Sequence, residues 1–438
     1  MLIHHHRRVG NRPYSALGTV AGSLLIIGAL AIPAQAAEPA AAVSGLASIE
    51  APIPPELEQA VSVADNPEPI SVEGADALRA GAETCTNAGD QILCIEMGTE
   101  PSVDPLGEAG RGNVQPFATV NLPAWCLEVG VANQYYANRT NICGIFSGTL
   151  TVQQVNNGVP GPIVGTMEFL MYNYIYMDTS LNRWANQMRV SPTIVTGQAA
   201  GTQISGTAAC IGGACVPTSQ TFPTQIPGVM GNADGESYWE WTGAKGTSAF
   251  GSSSWTITFR SPGSRTPASL TQTAAQVRCD NALPGRAVIG CVVPGIAPVI
   301  RYEGTSFIEF GAHIAGAQAS GLKGGSRANP LHRLVNATQQ AANRNTACPS
   351  SLPRPTGKSC DEYPFASTYE GAALSGGLAR TQSWCQVSLV NPPSTGSAGY
   401  SVCMIDVAEN RAAGSLLNSV LFVPSRVIDG DAFYVQIV

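Results

Sequence analysis

Charge is scarce in this 438-residue chain: only 12% of its residues are Asp, Glu, Lys or Arg. Histidine is scarcer still, with five in all. Three of them, His4 to His6, sit at the extreme N-terminus, so that only His313 and His332 stand in the body of the chain. No C-x2-C pair occurs near a second pair or near histidines, which excludes a structural zinc site of the usual kind. Internal repeats are absent, which excludes a solenoid or an array. Residues 37–80 lack sustained periodicity and are rich in Ala, Pro, Glu and Val, so an extended, disordered spacer is expected there. Basic residues are also missing where a polyanion would need them. Up to residue 300 there are 13 Lys/Arg against 21 Asp/Glu, a net of −8, and from Arg301 onward ten against nine, a net of +1. An acidic surface is a poor partner for nucleic acid, so any anion-binding function belongs to the C-terminal third.

The N-terminus reads as a secretory leader. A basic start is followed by the apolar "ALGTVAGSLLIIGALAIP" and the small-x-small "AQA" at 34–36, with cleavage expected after Ala36 and no membrane attachment afterwards. The competing reading, a single membrane anchor, has a run barely long enough to span and interrupted by Gly18, Gly22, Gly28 and Pro33. Twelve cysteines fit export to an oxidising compartment. They fall into neighbours: Cys85 with Cys94, Cys126 with Cys143, Cys210 with Cys215, Cys279 with Cys291, Cys348 with Cys360 and Cys385 with Cys403. Six local bridges are the simplest proposal.

The mature length of about 400 residues predicts two folded units. Residues 85–298 read as β. "SSWTITFRS" alternates Trp255, Ile257 and Phe259 with Thr256, Thr258 and Arg260, and "GTLTVQQV" alternates Leu150 and Val152 with Thr149 and Thr151. "GTMEFLMYNYIYMDT" is apolar on both faces, which suits a central strand. Together they predict a disulfide-containing antiparallel β domain, sandwich-like in form. Trp239 and Trp241 in "ESYWEWTGAKG" either form an exposed platform for carbohydrate or pack on one strand face. A cell-wall or glycan partner is one role open to this domain, spacing and protecting the rest of the chain another.

Near residue 300 the texture changes. "GAHIAGAQASG" predicts a short helix ending at Gly321, and "PLHRLVNATQQAANRN" a second, with Leu331, Leu334, Val335 and Thr338 at helical spacing. From Lys323 to Cys360 six basic residues (Lys323, Arg327, Arg333, Arg344, Arg354, Lys358) occur with no acidic one, and then Asp361 and Glu362 stand side by side. Two adjacent carboxylates repel each other and are poor strand or helix material, so the pair predicts a turn, held either by a bound cation or by solvent alone. Phosphodiester hydrolysis needs a base for water, neutralisation at phosphorus and a hold on the polyanion. A carboxylate beside a divalent metal, with basic residues nearby, supplies these. Downstream, Glu409-Asn410 precedes a helical pattern of Leu416, Leu417 and Val420 stopped by Pro424. Asn410 stands at the N-cap position, where it either caps the helix or ligates a metal, and Asn418 lies two turns along.

"KSCDEYPFASTYEGA", "ENRAAGSLLNSVLFVP", "RVIDGDAFYVQIV" and the upstream "EFGAHIAGAQASG" together resemble the NucA/NucB family of secreted bacterial deoxyribonucleases over residues 305–438. The resemblance implies a small α+β, ββα-metal-type endonuclease at 300–438, dependent on Mg2+ or Mn2+, without sequence preference and with DNA as substrate. It makes Asp361 the general base, Glu362 the second carboxylate or a metal ligand, and Asn410 the metal-ligand Asn. His313 matches the family's upstream His, which orients phosphate, acts as an acid, or is structural. Asn418 stands near the place of a further helical acid found in some relatives. The basic residues named above, with Arg411, are the expected DNA contacts. The alternative from another class is an exported binding or structural protein whose nuclease-like domain has lost activity.

Overall fold

A computed structural model of the chain describes residues 53–65, 67–70, 83–98, 102–103, 122–128, 131–388 and 394–438. The leader and its cleavage site lie outside these residues. The first described segment departs from the spacer expectation: Pro55–Gln59 is a helix, α1, and Val61–Ala64 a strand, β1. What gives this stretch a fold is a partner far along the chain, described below.

The β pattern is borne out by three long strands, β2 (Asn141–Asn156), β3 (Val159–Met177) and β4 (Arg183–Gly197), with β3 between the other two in a nine-stranded sheet. Asn157 and Gly158, both at positive φ, join β2 to β3 in the two-residue turn that suits the right-handed strand twist. Ala233–Glu240, β5, pairs with β4, and Ser248–Arg260, β6, is central to a separate five-stranded sheet. Trp255, Ile257 and Phe259 of β6 are wholly buried and share one hydrophobic cluster with Phe169, Ile175, Trp184 and Met188 of the larger sheet. Each such side chain contributes about 1.5–3 kcal/mol by leaving water. The other face of β3 is also covered, Tyr172 and Tyr174 packing with Leu122, Cys126 and Cys143. Trp239 and Trp241 lie in the large cluster at 4% and 7% exposure, so the carbohydrate platform is excluded and the packing reading holds.

The C-terminal region has two smaller sheets. In one, Val299–Tyr302 (β7) pairs antiparallel with β1 and parallel with Ala432–Ile437 (β11), whose other neighbour is the two-residue strand Leu331–His332 (β8). Leu57 and Ala60 join this region's core beside Ile300, Tyr302 and Val435, so residues 53–64 are a built-in edge of it. In the other, Lys358–Tyr363 (β9) pairs antiparallel with Tyr400–Asp406 (β10). The longer helices of the region are α2 (Ile308–Ala319), α3 (Ala337–Ala347) and α4 (Val407–Leu416). The first of these matches expectation, with Gly321 at φ +100° just beyond its end. The second begins later than its apolar spacing predicts. Leu331 is in strand β8 and buried, and the helix starts only after Asn336, whose side chain accepts from Gln339 N.

All six expected disulfides are present, joining Cys85 to Cys94, Cys126 to Cys143, Cys210 to Cys215, Cys279 to Cys291, Cys348 to Cys360 and Cys385 to Cys403. Cys85 faces Cys94, and Cys279 faces Cys291, across adjacent antiparallel strands. Cys210 lies at a strand end, and Cys215 follows just beyond the turn that leaves it.

Pro52–Val438 is one compact unit. A buried polar junction joins its parts. Arg139 and Arg278 from the β region both bond Asp431, while Arg426 Nε donates to Asp280 Oδ1 (2.9 Å) and its Nη1 to Thr179 O (2.7 Å). Arg426 and Asp280 have no exposed surface at all. Among the described residues no helix is long and apolar enough to cross a membrane.

Candidate active site

Asp361 and Glu362 are not in a turn. They belong to β9, opposite Cys403 and Val402 of β10. Strand pairing tolerates the two carboxylates because each has its own environment. Asp361 Oδ2 lies 2.6 Å from Nδ1 of His313 on α2. Glu362 Oε2 lies 3.5 Å from Sγ of Cys348, a contact without a shared proton because that sulfur is bridged to Cys360. Burial, with the charge of Asp361 adding and Arg344 opposing, pushes the Glu362 carboxyl up to about 8.

Both carboxylates line a cleft of about 700 Å³ whose wall also includes Arg333, Arg344, Arg354, Asn410 and Asn418. The residues called together by their order in the sequence therefore do meet. Of the six bridges, only Cys348–Cys360 reaches this wall; Cys210–Cys215 and Cys279–Cys291, like the others, belong to the scaffold. Asn410 is not the N-cap of α4. That place belongs to Asp406, whose Oδ1 accepts from Ala408 N and Glu409 N, so the helix starts one turn before its apolar pattern does. Freed from capping, Asn410 donates through Nδ2 to Ser359 Oγ (2.9 Å) and Cys360 O (3.1 Å). A carbonyl oxygen can only accept, so the amide orientation follows, and Oδ1 is the atom left for a ligand in the cleft. Beyond α4 the chain continues as a π-helical turn, Leu417–Phe422, which carries the exposed Asn418 and ends before Pro424.

The basic run divides. Arg344 and Arg354 are exposed residues on the cleft wall. Arg333 also lines the cleft but is buried, bonded to Val427 O and placed over the Phe422 ring at 4.2 Å. Lys358 pairs with Glu309, and Arg327 with Glu68 beside a different cavity, so these two are not cleft groups. Lys323 and Arg411 do not line the cleft either. His313 is fully buried and does not line it, which removes direct contact with a phosphate or a leaving group.

Several residues that build the site carry no local signal. Glu409 Oε2 accepts from the backbone N of Glu309 and Phe310, closing the N-terminus of α2 from another helix, while Glu309 Oε2 accepts from Asp406 N. Asn343, wholly buried on α3, donates to Ala366 O and Thr368 O and accepts from Ala373 N and Leu374 N. It thereby pins the segment that follows the carboxylates. Only the Glu next to Asn410 stood within a motif, and nothing in its spacing named α2 as the partner.

The cleft offers hard oxygen donors, from carboxylate and amide, which is the set that Mg2+ or Mn2+ takes. Among the described residues no three His, Cys or carboxylate ligand atoms converge there; their one convergence is Glu83 with the bridged Cys85 and Cys94. No curated protein and no solved structure matches the chain. Residues 323–436, which carry β9, β10, α4 and most of the cleft wall, match the family model Deoxyribonuclease NucA/NucB, so the C-terminal region is a domain of that family.

Proposed function

We propose that the protein is a secreted, divalent-metal-dependent DNA endonuclease without sequence preference, working in the cleft beside β9. The observation that carries this reading is the arrangement of Asp361, Glu362 and an oriented Asn410 on one wall with Arg344 and Arg354. The strand pair β9–β10 followed by α4 supports a ββα-metal centre, and the shared core of the two large sheets supports a sandwich for the β region. Six disulfides support an oxidising, extracellular setting.

In this reading Asp361 is the general base. One of its oxygens is taken by His313, and the other accepts a proton from water. Glu362 and Asn410 hold the cation, with Asn418 at the rim. The bound cation supplies Lewis-acid stabilisation of charge at phosphorus and lowers the pKa of water. Arg344 and Arg354 hold the flanking phosphates, and the acidic β region carries no part of the DNA path. The test is plasmid DNA incubated with the mature protein and Mg2+ or Mn2+, with and without chelator. Nicking and linearisation abolished by chelator is the expected result. Intact plasmid under every condition would leave the chain an exported binding or structural protein.

A further inference from the structure

Asp361 is the end of a three-membered polar chain. His313 Nδ1 lies 2.6 Å from Asp361 Oδ2, and His313 Nε2 lies 2.9 Å from Ser401 Oγ on β10. His313 and Ser401 are 0% and 1% exposed, and neither lines the cleft. His313 also stands outside residues 323–436, on a helix that the family model does not cover.

With the carboxylate ionised and the ring neutral, the chemistry of the three groups sets the direction of each bond. An ionised carboxylate only accepts, so Nδ1 carries the proton that faces Asp361. In the neutral ring Nε2 then has a lone pair, and Ser401 donates its hydroxyl proton to it. The backbone of His313 is tied as well, since Gln382 Nε2 donates to His313 O at 3.0 Å. Oδ2 of Asp361 is thus occupied from the interior, and Oδ1 remains for the cleft that the residue lines.

We propose that His313 and Ser401 are positioning residues: through one imidazole tautomer they hold Asp361 with a single oxygen aimed at the attacking water. The proposal rests on Asp361 being the base of the proposed nuclease. A carboxylate left to rotate would present its lone pairs over a range of angles, and proton transfer needs a near-attack alignment. Outer partners of a functional group typically contribute about 10- to 100-fold to activity.

The test uses the full chain with linear duplex DNA and saturating Mn2+. His313→Gln, Ser401→Ala, Ser401→Thr, Asp361→Asn and the pairs combining the last with His313→Gln or Ser401→Ala are compared. His313→Gln is expected to lower kcat about 10- to 100-fold with KM for DNA unchanged. Ser401→Ala should lower it less, with Ser401→Thr, which keeps the hydroxyl, restoring the rate. On the Asp361→Asn background neither change should slow the enzyme further, because the group they serve is gone. Losses that repeat in full on that background, or a raised KM with kcat intact, overturn the proposal. Full activity of His313→Gln and Ser401→Ala beside a crippled Asp361→Asn overturns it alone. A wild-type rate for Asp361→Asn overturns both it and the assignment of Asp361 as the base, whereas a wild-type chain that cuts no DNA overturns the nuclease reading itself. If His313→Gln does not fold, Ser401→Ala and Ser401→Thr decide by the same criteria.

Discussion

The β region and the C-terminal region bury different things. Around Trp184, Trp255 and Phe259 the interior is mainly apolar; Asn186 and Ser253 are bonded within it, but Gln187 keeps both amide atoms unpartnered, as do Trp239 and Trp255 their indole N–H groups. In the C-terminal region His313, Asn343, Asp361, Ser401 and Arg333 are all buried and all bonded. Among the described residues there, Arg380 Nε and Ser394 Oγ are the buried polar atoms left over. An apolar core tolerates an idle amide because area, not angle, supplies its stability. A site that must aim a carboxylate has no such freedom, and its stability and its geometry come from the same bonds.

The sharpest way to test that contrast is at Asp361. Asp361→Asn keeps shape but loses the proton acceptor, and should cut about 100- to 10,000-fold more slowly while metal and DNA still bind. Asn410→Ala should instead weaken apparent metal affinity, so that added Mn2+ recovers part of its rate. Cleavage measured against metal concentration separates the two, and rescue of Asp361→Asn by metal would exchange their roles.

Next is the junction. Asp280→Ala leaves Arg426 buried without its carboxylate, and breaking such a pair from one side costs about 3–5 kcal/mol. Urea unfolding followed by tryptophan fluorescence should show that loss in a single transition shared by nuclease activity. Two separated transitions would mean that the regions stand independently. By the same argument a fragment of residues 300–438 should be unstable, since it lacks β1 and every partner of Arg426 and Asp431 from the β side.

A milder break is Leu57→Ala, which opens a cavity where α1 meets the C-terminal core and should cost about 2–5 kcal/mol without changing KM. Smallest is the double change Arg344→Gln and Arg354→Gln. It should weaken DNA binding and flatten the slope of log affinity against log salt by about 1–2, the count of phosphates released. The same change at Lys358, already paired with Glu309, should leave that slope unaltered.

What the sequence made legible follows the same divide. Alternation in "SSWTITFRS" and the two-faced apolar run of β3 located strands correctly, because burial by a neighbouring strand is a local, periodic demand. Neighbouring cysteines such as Cys279 and Cys291 paired as spacing suggested, since antiparallel strands bring such residues together. The Asp-Glu pair, Asn410 and Asn418 were visible as residue types, yet their surroundings were not. The strand at Asp361 has no local signature, because the partner that offsets the repulsion is His313, 48 residues upstream. The cap on α4 fell on Asp406 rather than Asn410 for want of a signal distinguishing two good capping residues one turn apart. Ser401, Asn343 and Arg426 are long-range polar partners, and residues of that kind leave no period in a sequence.

The position of β11 has a consequence for how the molecule is made. It lies between β7 and β8, and it is translated after every other described element. The four-stranded sheet therefore lacks its middle until the ribosome has passed Ile437, and its edge strand β1 waits through the whole β region for its partner β7. A still-threading chain therefore holds β7 and β8 apart, with no strand between them to join the two. A stop codon at Ala432 would do the same permanently.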